Sequence, residues 1–445
     1  MPPTSSAARR EALRRLNFSR ELAEKGWYHS MDFRDGTAAE GVISLENLKR
    51  RYALFPLPGD LMGKRVLDIG AWDGWFSFEC ERRGATVTAI DCVEIDNFLY
   101  AQQKLGSQVD YRVLDLFELP QAGLEPFDYV LFLGVLYHLK HPLLALEIVC
   151  RFTREVTVVD SFVADADTWR ERVDEVPWME FYETCELGEQ LDNWVGPSVG
   201  CLMALCRAAG FARVELLGIE DQHACVACYR RWEPVAATGQ RPAPVLLAAC
   251  HSLNYGINFS ANRDEYLTCW FQTSEPELRR EMVLPQVGDY GTPALYLTGV
   301  EPKTWIVNFR LPPGLARGWQ MVGLRTTRSG LSNTLPIALD VPAEADHLVV
   351  IDVSDGISWE RGTVRFEGQG FLSFWIQGLS SNCDRHNVRP YLGVRRLTVE
   401  FISQAGATGF RQINARVPAG VEKGEHSFTV RFGSAVSEPQ TVRVV

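Results

Sequence analysis

Three acids in the first third of the chain have the spacing to hold a nucleoside. Asp68 lies in the apolar run Val66-Leu67-Asp68-Ile69, and Gly70-Ala71-Trp72-Asp73-Gly74 follows before the helix-forming Trp75-Phe76-Ser77. A second apolar run, Val87-Thr88-Ala89-Ile90, ends in Asp91. Strand, glycine turn, helix and second strand make a nucleotide-binding βαβ half. Its turn is expected to bring backbone amides and a helix N-terminus beside a ligand, with Asp91 accepting hydrogen bonds from two ribose hydroxyls. The turn is not the dinucleotide G-x-G-x-x-G. Its second glycine position is Trp72, too bulky for close approach to a pyrophosphate. Asp-x-Gly-x-x-x-Gly, with an acid about 20 residues on, suits a nucleoside without phosphate. The third acid is Asp115, in Val113-Leu114-Asp115-Leu116, placed after a third strand where it could bond an adenine amino group. Its alternative role is to cap a helix or turn.

S-adenosyl-L-methionine is the common nucleoside of this kind, and the turn therefore predicts a methyltransferase. Asp68, Gly70 and Ala71 would shape its loop, Gly74 would let the helix start close to it, and Asp91 with Cys92 would hold the ribose. Asp115 and Leu116 would lie at the adenine, and Leu133 and Gly134 at the end of the fourth strand would complete the site. The next residues, Val135-Leu136-Tyr137-His138-Leu139-Lys140-His141-Pro142, border the transferred methyl group. His138 can take a proton from an attacking hydroxyl, since an unperturbed imidazole titrates near working pH. It can equally be a hydrogen-bonded scaffold, because methyl transfer needs mainly alignment of nucleophile, carbon and leaving sulfur. Tyr137 and His29 are the other candidates. Trp27 and His29 belong to an aromatic stretch, Trp27-Tyr28-His29-Ser30-Met31-Asp32-Phe33, expected to be irregular.

The elements that must position these groups follow from periodicity. Residues 8–25 read as a charged amphipathic helix and Leu45 to Leu54 as another, giving a helical cap over 1–60. The α/β domain, 61–232, has strands at Arg65–Ile69, Thr86–Asp91, Val109–Val113, Phe127–Leu133, Val156–Ser161, Arg213–Gly218 and Cys225–Tyr229. Helices are expected near 75–83, 96–106 and 142–151, and a terminal hairpin completes a Rossmann-like seven-stranded sheet. Residues 164–197 interrupt the pattern with Trp169, Trp178, Phe181, Tyr182 and Trp194. This insertion is either a substrate lid or a helical pair packed on the sheet.

Residues 233–244 read as a linker, and beyond it helices vanish. Tyr266-Leu267-Thr268-Cys269-Trp270-Phe271-Gln272 recurs as Phe371-Leu372-Ser373-Phe374-Trp375-Ile376-Gln377, and Arg310-Leu311-Pro312-Pro313-Gly314 recurs as Arg416-Val417-Pro418-Ala419-Gly420. The offset is 105 in the first pair (Trp270 to Trp375) and 106 in the second (Arg310 to Arg416). A constant period through two motifs predicts tandem all-β sandwiches, 245–341 and 345–445. Trp270 and Trp375 are expected in their cores.

Two resemblances add to this reading. Phe127-Asp128-Tyr129-Val130, then Gly134-Val135-Leu136-Tyr137-His138 and Pro142, resembles the class I methyltransferases that include the tRNA wobble-uridine carboxymethyl-transfer enzymes. Trp27-Tyr28-His29 and Pro197-Ser198, before a helix ending Gly210-Phe211, match the broader branch. The resemblance spans about residues 20–232, and implies that Trp27–His29 closes over the cofactor. The tRNA enzymes carry a basic Trp-Arg-Lys-Gly-Pro-Phe segment whose lysine helps hold a carboxylated cofactor. This chain has no lysine between Trp27 and Phe33, which favours ordinary S-adenosyl-L-methionine. The Pro-x-Gly-x-x-x-Gly element in each repeat resembles the TIG-type branch of immunoglobulin-like domains.

Composition bounds the partners. The 445 residues carry a net charge of −11, which argues against a nucleic-acid substrate. The arm Arg9-Arg10, Arg14-Arg15, Arg20 favours tRNA, although such an arm is usually a solvated helix face. No apolar run has the length of a membrane span, and the N-terminus has no apolar signal region. Eleven scattered cysteines read as reduced thiols of a cytoplasmic protein. Cys225-Val-Ala-Cys228 lies on an expected strand that would point the two thiols to opposite faces, so no metal site is assigned. The expected reaction is methylation of an oxygen, with a nitrogen as the second choice, of a small molecule, sugar or secondary metabolite. The rival readings are a tRNA-modifying enzyme and a glycan- or partner-binding protein with a vestigial domain. The C-terminal repeats would bind a carrier, form a homodimer interface, or cover the catalytic domain.

Overall fold

The strand and helix periods of residues 61–232 appear in the structure nearly as the sequence sets them. The structure, a computed structural model, describes residues 17–18, 26–171, 176–232, 241–365, 370–406 and 408–445. Seven strands form one sheet: β1 (Arg65–Ile69), β2 (Thr86–Asp91), β3 (Asp110–Val113), β4 (Phe127–Leu133), β5 (Thr153–Phe162), β6 (Arg213–Glu220) and β7 (His223–Tyr229). Their order is β3-β2-β1-β4-β5-β7-β6. The first five are parallel, and β7 runs antiparallel to β5 and β6. The order reverses between β1 and β4, so loops after both strands open into one crevice at their carboxyl ends.

Each face of this sheet is covered by apolar residues, as a doubly covered parallel sheet requires. One core joins Val66, Tyr129, Val158 and Cys225 to Trp27, Leu48, Tyr52 and Phe76. The other joins Leu67, Val130, Val159 and Cys228 to Leu146, Leu202 and Phe211. Cys225 and Cys228 thus point to opposite faces. Helices cover the sheet at Leu45–Tyr52, Trp75–Arg82, Asp96–Leu105, Pro142–Arg151 and Val199–Ala208.

The N-terminal cap differs from its expected helical form. Asn17–Phe18, inside the expected helix 8–25, is a strand paired in parallel with Thr37–Ala38. The other residues of that helix lie outside the described residues. Trp27–His29 is not irregular but pairs with Gly41–Ile43, and Met31–Asp32 pairs with Ala38–Ala39. Burial alternates accordingly: Trp27 and His29 are buried while Tyr28 is exposed, the period of a strand.

The insertion forms no helical pair among its described residues. Met179–Phe181 and Val195–Pro197 make a two-stranded antiparallel ribbon, preceded by a single 3-10 turn at Trp169–Glu171.

The chain divides into two compact units. One is Met1–Ala236 with Asp289–Pro293 and Pro312–Gly314, and the other holds the remaining residues. The C-terminal half consists of β-sheets, mostly antiparallel. In the first repeat, a four-stranded sheet containing Tyr266–Gln272 and a five-stranded sheet containing Gly318–Thr326 share a core that includes Leu267, Phe271, Val322 and Ile337. The second repeat does the same, with Leu372, Phe374, Val430 and Val442 in its own core. Trp270 and Trp375 are not in these cores. Cys269 and Phe271 take the inward positions, as do Phe374 and Ile376, so the residues of opposite parity face outward. Trp270 instead lies 6.4 Å from the ring of Tyr255, and Trp375 lies 6.1 Å from Trp359.

Candidate active site

The glycine turn spends its amides on itself. Gly70 N and Ala71 N both donate to the Ile90 carbonyl, at 2.8 and 3.2 Å, and Gly74 N donates to Ala71. Trp72 N donates to Asp91 Oδ2 at 3.1 Å. These four amides are therefore taken up internally, three of them joining the loop to β2 and that of Gly74 closing the turn. The glycines are also required internally. A Cβ on Gly70 would meet Val135 Cγ2 at 2.4 Å, and one on Gly74 would meet the Phe98 ring at 2.5 Å. Gly74 thus lets the helix start pack on Phe98.

The side chains around this turn are the groups left to meet a ligand. Asp91 is buried at the end of β2. Burial raises its pKa, and the amides of Trp72, Val93 and Cys92 oppose that rise. Asp68 is buried one strand away and accepts from Ser77 Oγ at 2.6 Å. Burial lifts its pKa to about 7, with Ser77 pulling down and Asp91 pushing up. Asp115 uses Oδ1 to cap the 3-10 turn Leu116–Gln121 through the Phe117 amide at 2.7 Å, which is its capping role. Leu116 is buried in the second core and Ala71 in the first, so neither offers more than backbone. Cys92 is exposed beside Asp91.

The Trp27–His29 strand is fastened to this loop by Asp73, a residue with no role in the site expected from the sequence. Asp73 Oδ2 accepts the amides of Tyr28 and His29 at 2.6 and 2.8 Å. An acid between the two glycines is the one sequence signal for it. His29 is buried with its pKa lowered to about 3, by burial first and then by the charge of Arg51. Such an imidazole is too weak a base to hold a proton near neutral pH, so His29 does not suit the catalytic role expected of it. Its Nδ1 and the Trp27 indole nitrogen are buried and lack partners among the described residues. Buried donors and acceptors are rarely left so, which fits a polar ligand at this segment. Asp91, His29 and Trp27 are the residues that would hold S-adenosylmethionine.

On the other side of the crevice, Tyr137 and His138 end a 3-10 turn, Leu136–His138, that follows β4. Leu133 closes β4, and Gly134 N donates to the Asp160 carbonyl at 2.9 Å. His138 Nδ1 donates to the carbonyl of Asp192 at 3.2 Å, which leaves Nε2 as the ring's proton acceptor. Burial lowers the pKa of His138, Asp192 opposes this, and His223 adds to it. The Tyr137 phenol is pushed up by burial, with Tyr28 and Asp160 adding to the rise, so at neutral pH it keeps its proton and cannot serve as a base. The insertion is tied to this turn. Trp194 N donates to the Tyr137 carbonyl at 2.8 Å, and the Lys140 ammonium lies 4.1 Å from the Trp194 ring centre.

A second histidine, next to the Cys225-Val-Ala-Cys228 motif in sequence, stands beside Tyr137. His223 opens β7, and its ring centre is 5.5 Å from that of Tyr137. Its Nδ1 lies 2.9 Å from Asp160 Oδ1, and Arg51 reaches Asp160 Oδ2 at 2.7 Å. Asp160 is buried near the end of β5. Burial would raise its pKa, but His223 and Arg51 together hold it below the usual carboxylate value. Nothing in the local sequence links positions 51, 160 and 223, since they come from a helix, a strand and a hairpin.

Fold and site together define the class: the chain carries an S-adenosylmethionine-dependent methyltransferase domain. Residues 44–216 match the family described as "Methyltransferase domain". A tRNA U34 carboxymethyltransferase of Pseudomonas paraeruginosa is 32% identical over 180 residues, 37% of this chain and 52% of the relative. That of Azotobacter vinelandii is 32% identical over 181 residues, again 37% of this chain and 52% of the relative. The chain spans about half the length of these curated relatives. Among solved structures, the N-terminal domain of EvdMO1 in the presence of SAH and D-fucose is 23% identical, covering 50% of this chain and 95% of that one, with a TM-score of 0.35.

Proposed function

We propose that this domain methylates an oxygen of a low-molecular-mass acceptor, a sugar or another secondary metabolite. S-adenosylmethionine supplies an electrophilic methyl group. The chain supplies the acceptor's surroundings, and one observation carries the reading. His138 and His223 both commit Nδ1 to an oxygen, so each keeps Nε2 as a proton acceptor beside Tyr137. A hydroxyl must lose a proton when it is methylated, and this edge has groups that can take it. The insertion bonded to Tyr137 supports a covered acceptor site of small size. We read the C-terminal repeats as immunoglobulin-like domains of TIG type. A cytoplasmic setting is supported by eleven cysteines that form no disulfide among the described residues.

A second reading is modification of tRNA, favoured by the names of the relatives at 32% identity. Against it stand the lysine-free Trp27–Phe33 segment and the net charge of −11. Incubation with methyl-labelled S-adenosylmethionine separates the two. Label should pass to phenols or sugar hydroxyls and not to bulk tRNA. Transfer confined to tRNA would overturn the proposal.

A further inference from the structure

We propose that His223 is the base that accepts the acceptor's proton, with Asp160 and Arg51 as the residues that position it. The inference rests on the oxygen acceptor proposed above. Three separate elements converge on one buried carboxylate: Arg51 from the Leu45–Tyr52 helix, Asp160 from β5 and His223 from β7. Both carboxylate oxygens are occupied, Oδ1 by His223 and Oδ2 by Arg51. One partner on each oxygen restrains rotation of the carboxylate, which in turn orients the imidazole bonded to it.

The hairpin explains how His223 arrives there. β6 and β7 are joined by Asp221-Gln222, both at positive φ (49° and 63°), as in a two-residue type I′ turn. That turn sets Glu220 opposite His223, and the pairing of β7 with β5 sets Cys225 opposite Asp160 and His223 opposite Phe162. His223 is then the diagonal neighbour of Asp160 on the same sheet face, close enough for its ring to reach the carboxylate. The face is the one that carries Val158 and Cys225, beneath the Leu45–Tyr52 helix from which Arg51 projects.

The tautomer follows. A carboxylate held ionised can only accept, so Nδ1 carries a proton, and in the neutral ring Nε2 is the bare nitrogen. Nε2 has no partner among the described residues, and 28% of the side chain remains exposed. The groups around it are Tyr137, Phe162, His138, Asp160 and Arg51. In the reaction the acceptor oxygen bonds the methyl carbon, the carbon–sulfur bond breaks with its pair going to sulfur, and the hydroxyl proton passes to Nε2. The resulting imidazolium lies against Asp160, which is buried and fixed. His138 has a weaker counterpart, since the Asp192 carboxylate stands 3.4 Å away with 73% of its side chain exposed.

The test uses the full chain and a series of substituted phenols of graded acidity as acceptors. His223→Gln should lower kcat roughly 10²–10⁴-fold for weakly acidic phenols. The loss should shrink for phenols already ionised at the assay pH, which need no base. Affinity for S-adenosylhomocysteine should be unchanged by calorimetry. Asp160→Asn should lower kcat more than it raises KM. A readout free of turnover comes from ¹⁵N histidine spectra, where the His223 Nδ1 proton should be present in the native chain and lost in Asp160→Asn. Full activity of His223→Gln on weakly acidic phenols overturns this inference alone, as does a spectrum with the proton on Nε2. Loss of base dependence in His138→Gln, with His223→Gln unaffected, overturns it in favour of His138. If the wild type methylates no phenol or sugar, the proposed acceptor class falls and this inference with it.

Discussion

Asp91 fixes the Trp72 amide of the loop and is the acid expected to hold a ribose. Asp91→Ala removes hydrogen bonds to a charged acceptor, each worth about 1.5–3 kcal/mol. Affinity for S-adenosylhomocysteine should fall at least tenfold by calorimetry, with the fold retained. Unchanged affinity would show that the ribose lies elsewhere. Asp68 makes a different prediction. Its folded pKa of about 7 lies above the unfolded value of 3.8, so the native state keeps a proton that the unfolded state loses. Stability contributed by this group is full below pH 3.8 and declines as pH rises to about 7. Asp68→Asn cannot ionise. It should therefore raise the Tm of the ligand-free protein at pH 8 relative to wild type, with an upper bound of about 4 kcal/mol, and make little difference at pH 4. Equal melting shifts at both pH values would show that Asp68 is ionised when folded.

Two elements depend on backbone conformations that a side chain resists or that partners impose. Gly74 precedes the Trp75–Arg82 helix at a φ of 82°, with the Phe98 ring filling the space where a side chain would start. Phe98 is fully buried and also stacks on Tyr111 at 4.1 Å, so it cannot yield cheaply. Gly74→Ala combines left-handed strain with overpacking and should cost roughly 2–5 kcal/mol. A thermal melt followed by tryptophan fluorescence should drop by about 5–15 °C. No drop would mean the helix start can shift away from Phe98. The Trp27–His29 strand reads as irregular in the sequence because its three residues are too few for a periodic signal. The Asp73 carboxylate and the Gly41–Ile43 strand pair its backbone groups, and these bonds decide its form.

At the scale of the molecule, the chain changes architecture after the methyltransferase domain. From residue 245 onward the described residues contain strands and a single 3-10 turn, Arg280–Met282. Cleavage within 233–244 should therefore give a C-terminal fragment whose far-ultraviolet circular dichroism is that of β-structure. Substantial helix in that fragment would overturn the repeat assignment. The compact unit that holds the site also includes Asp289–Pro293 and Pro312–Gly314, a feature no linear reading of a linker suggests. Within it Arg230 is fully buried, donates to the Gly210 carbonyl at 3.4 Å and to the Pro313 carbonyl, and lies 4.0 Å from the Tyr290 ring centre.

The sequence by itself determined what local rules govern. Period-2 and period-3.6 patterns placed β1, β2 and β4 to the residue, because a strand buried on both faces leaves an unbroken apolar run between turn residues. The repeat of Trp270 at Trp375 was legible for the same reason: two copies of one unit need the same residues at the same offset. The places of Asp68 within β1 and Asp91 at the end of β2 were legible because a single short motif and its spacing set both strands. Tertiary structure alone decided the rest. Which parity of the Trp270 strand faces inward depends on the sheet packed against it. Whether the turn's amides face a ligand or the Ile90 carbonyl depends on how closely β2 lies. Arg51, Asp160 and His223 have no common sequence signal, since their contact needs helix, strand and hairpin to close on one buried charge. That charge persists in the interior only when partners from distant positions arrive together, and their arrival is a property of the fold.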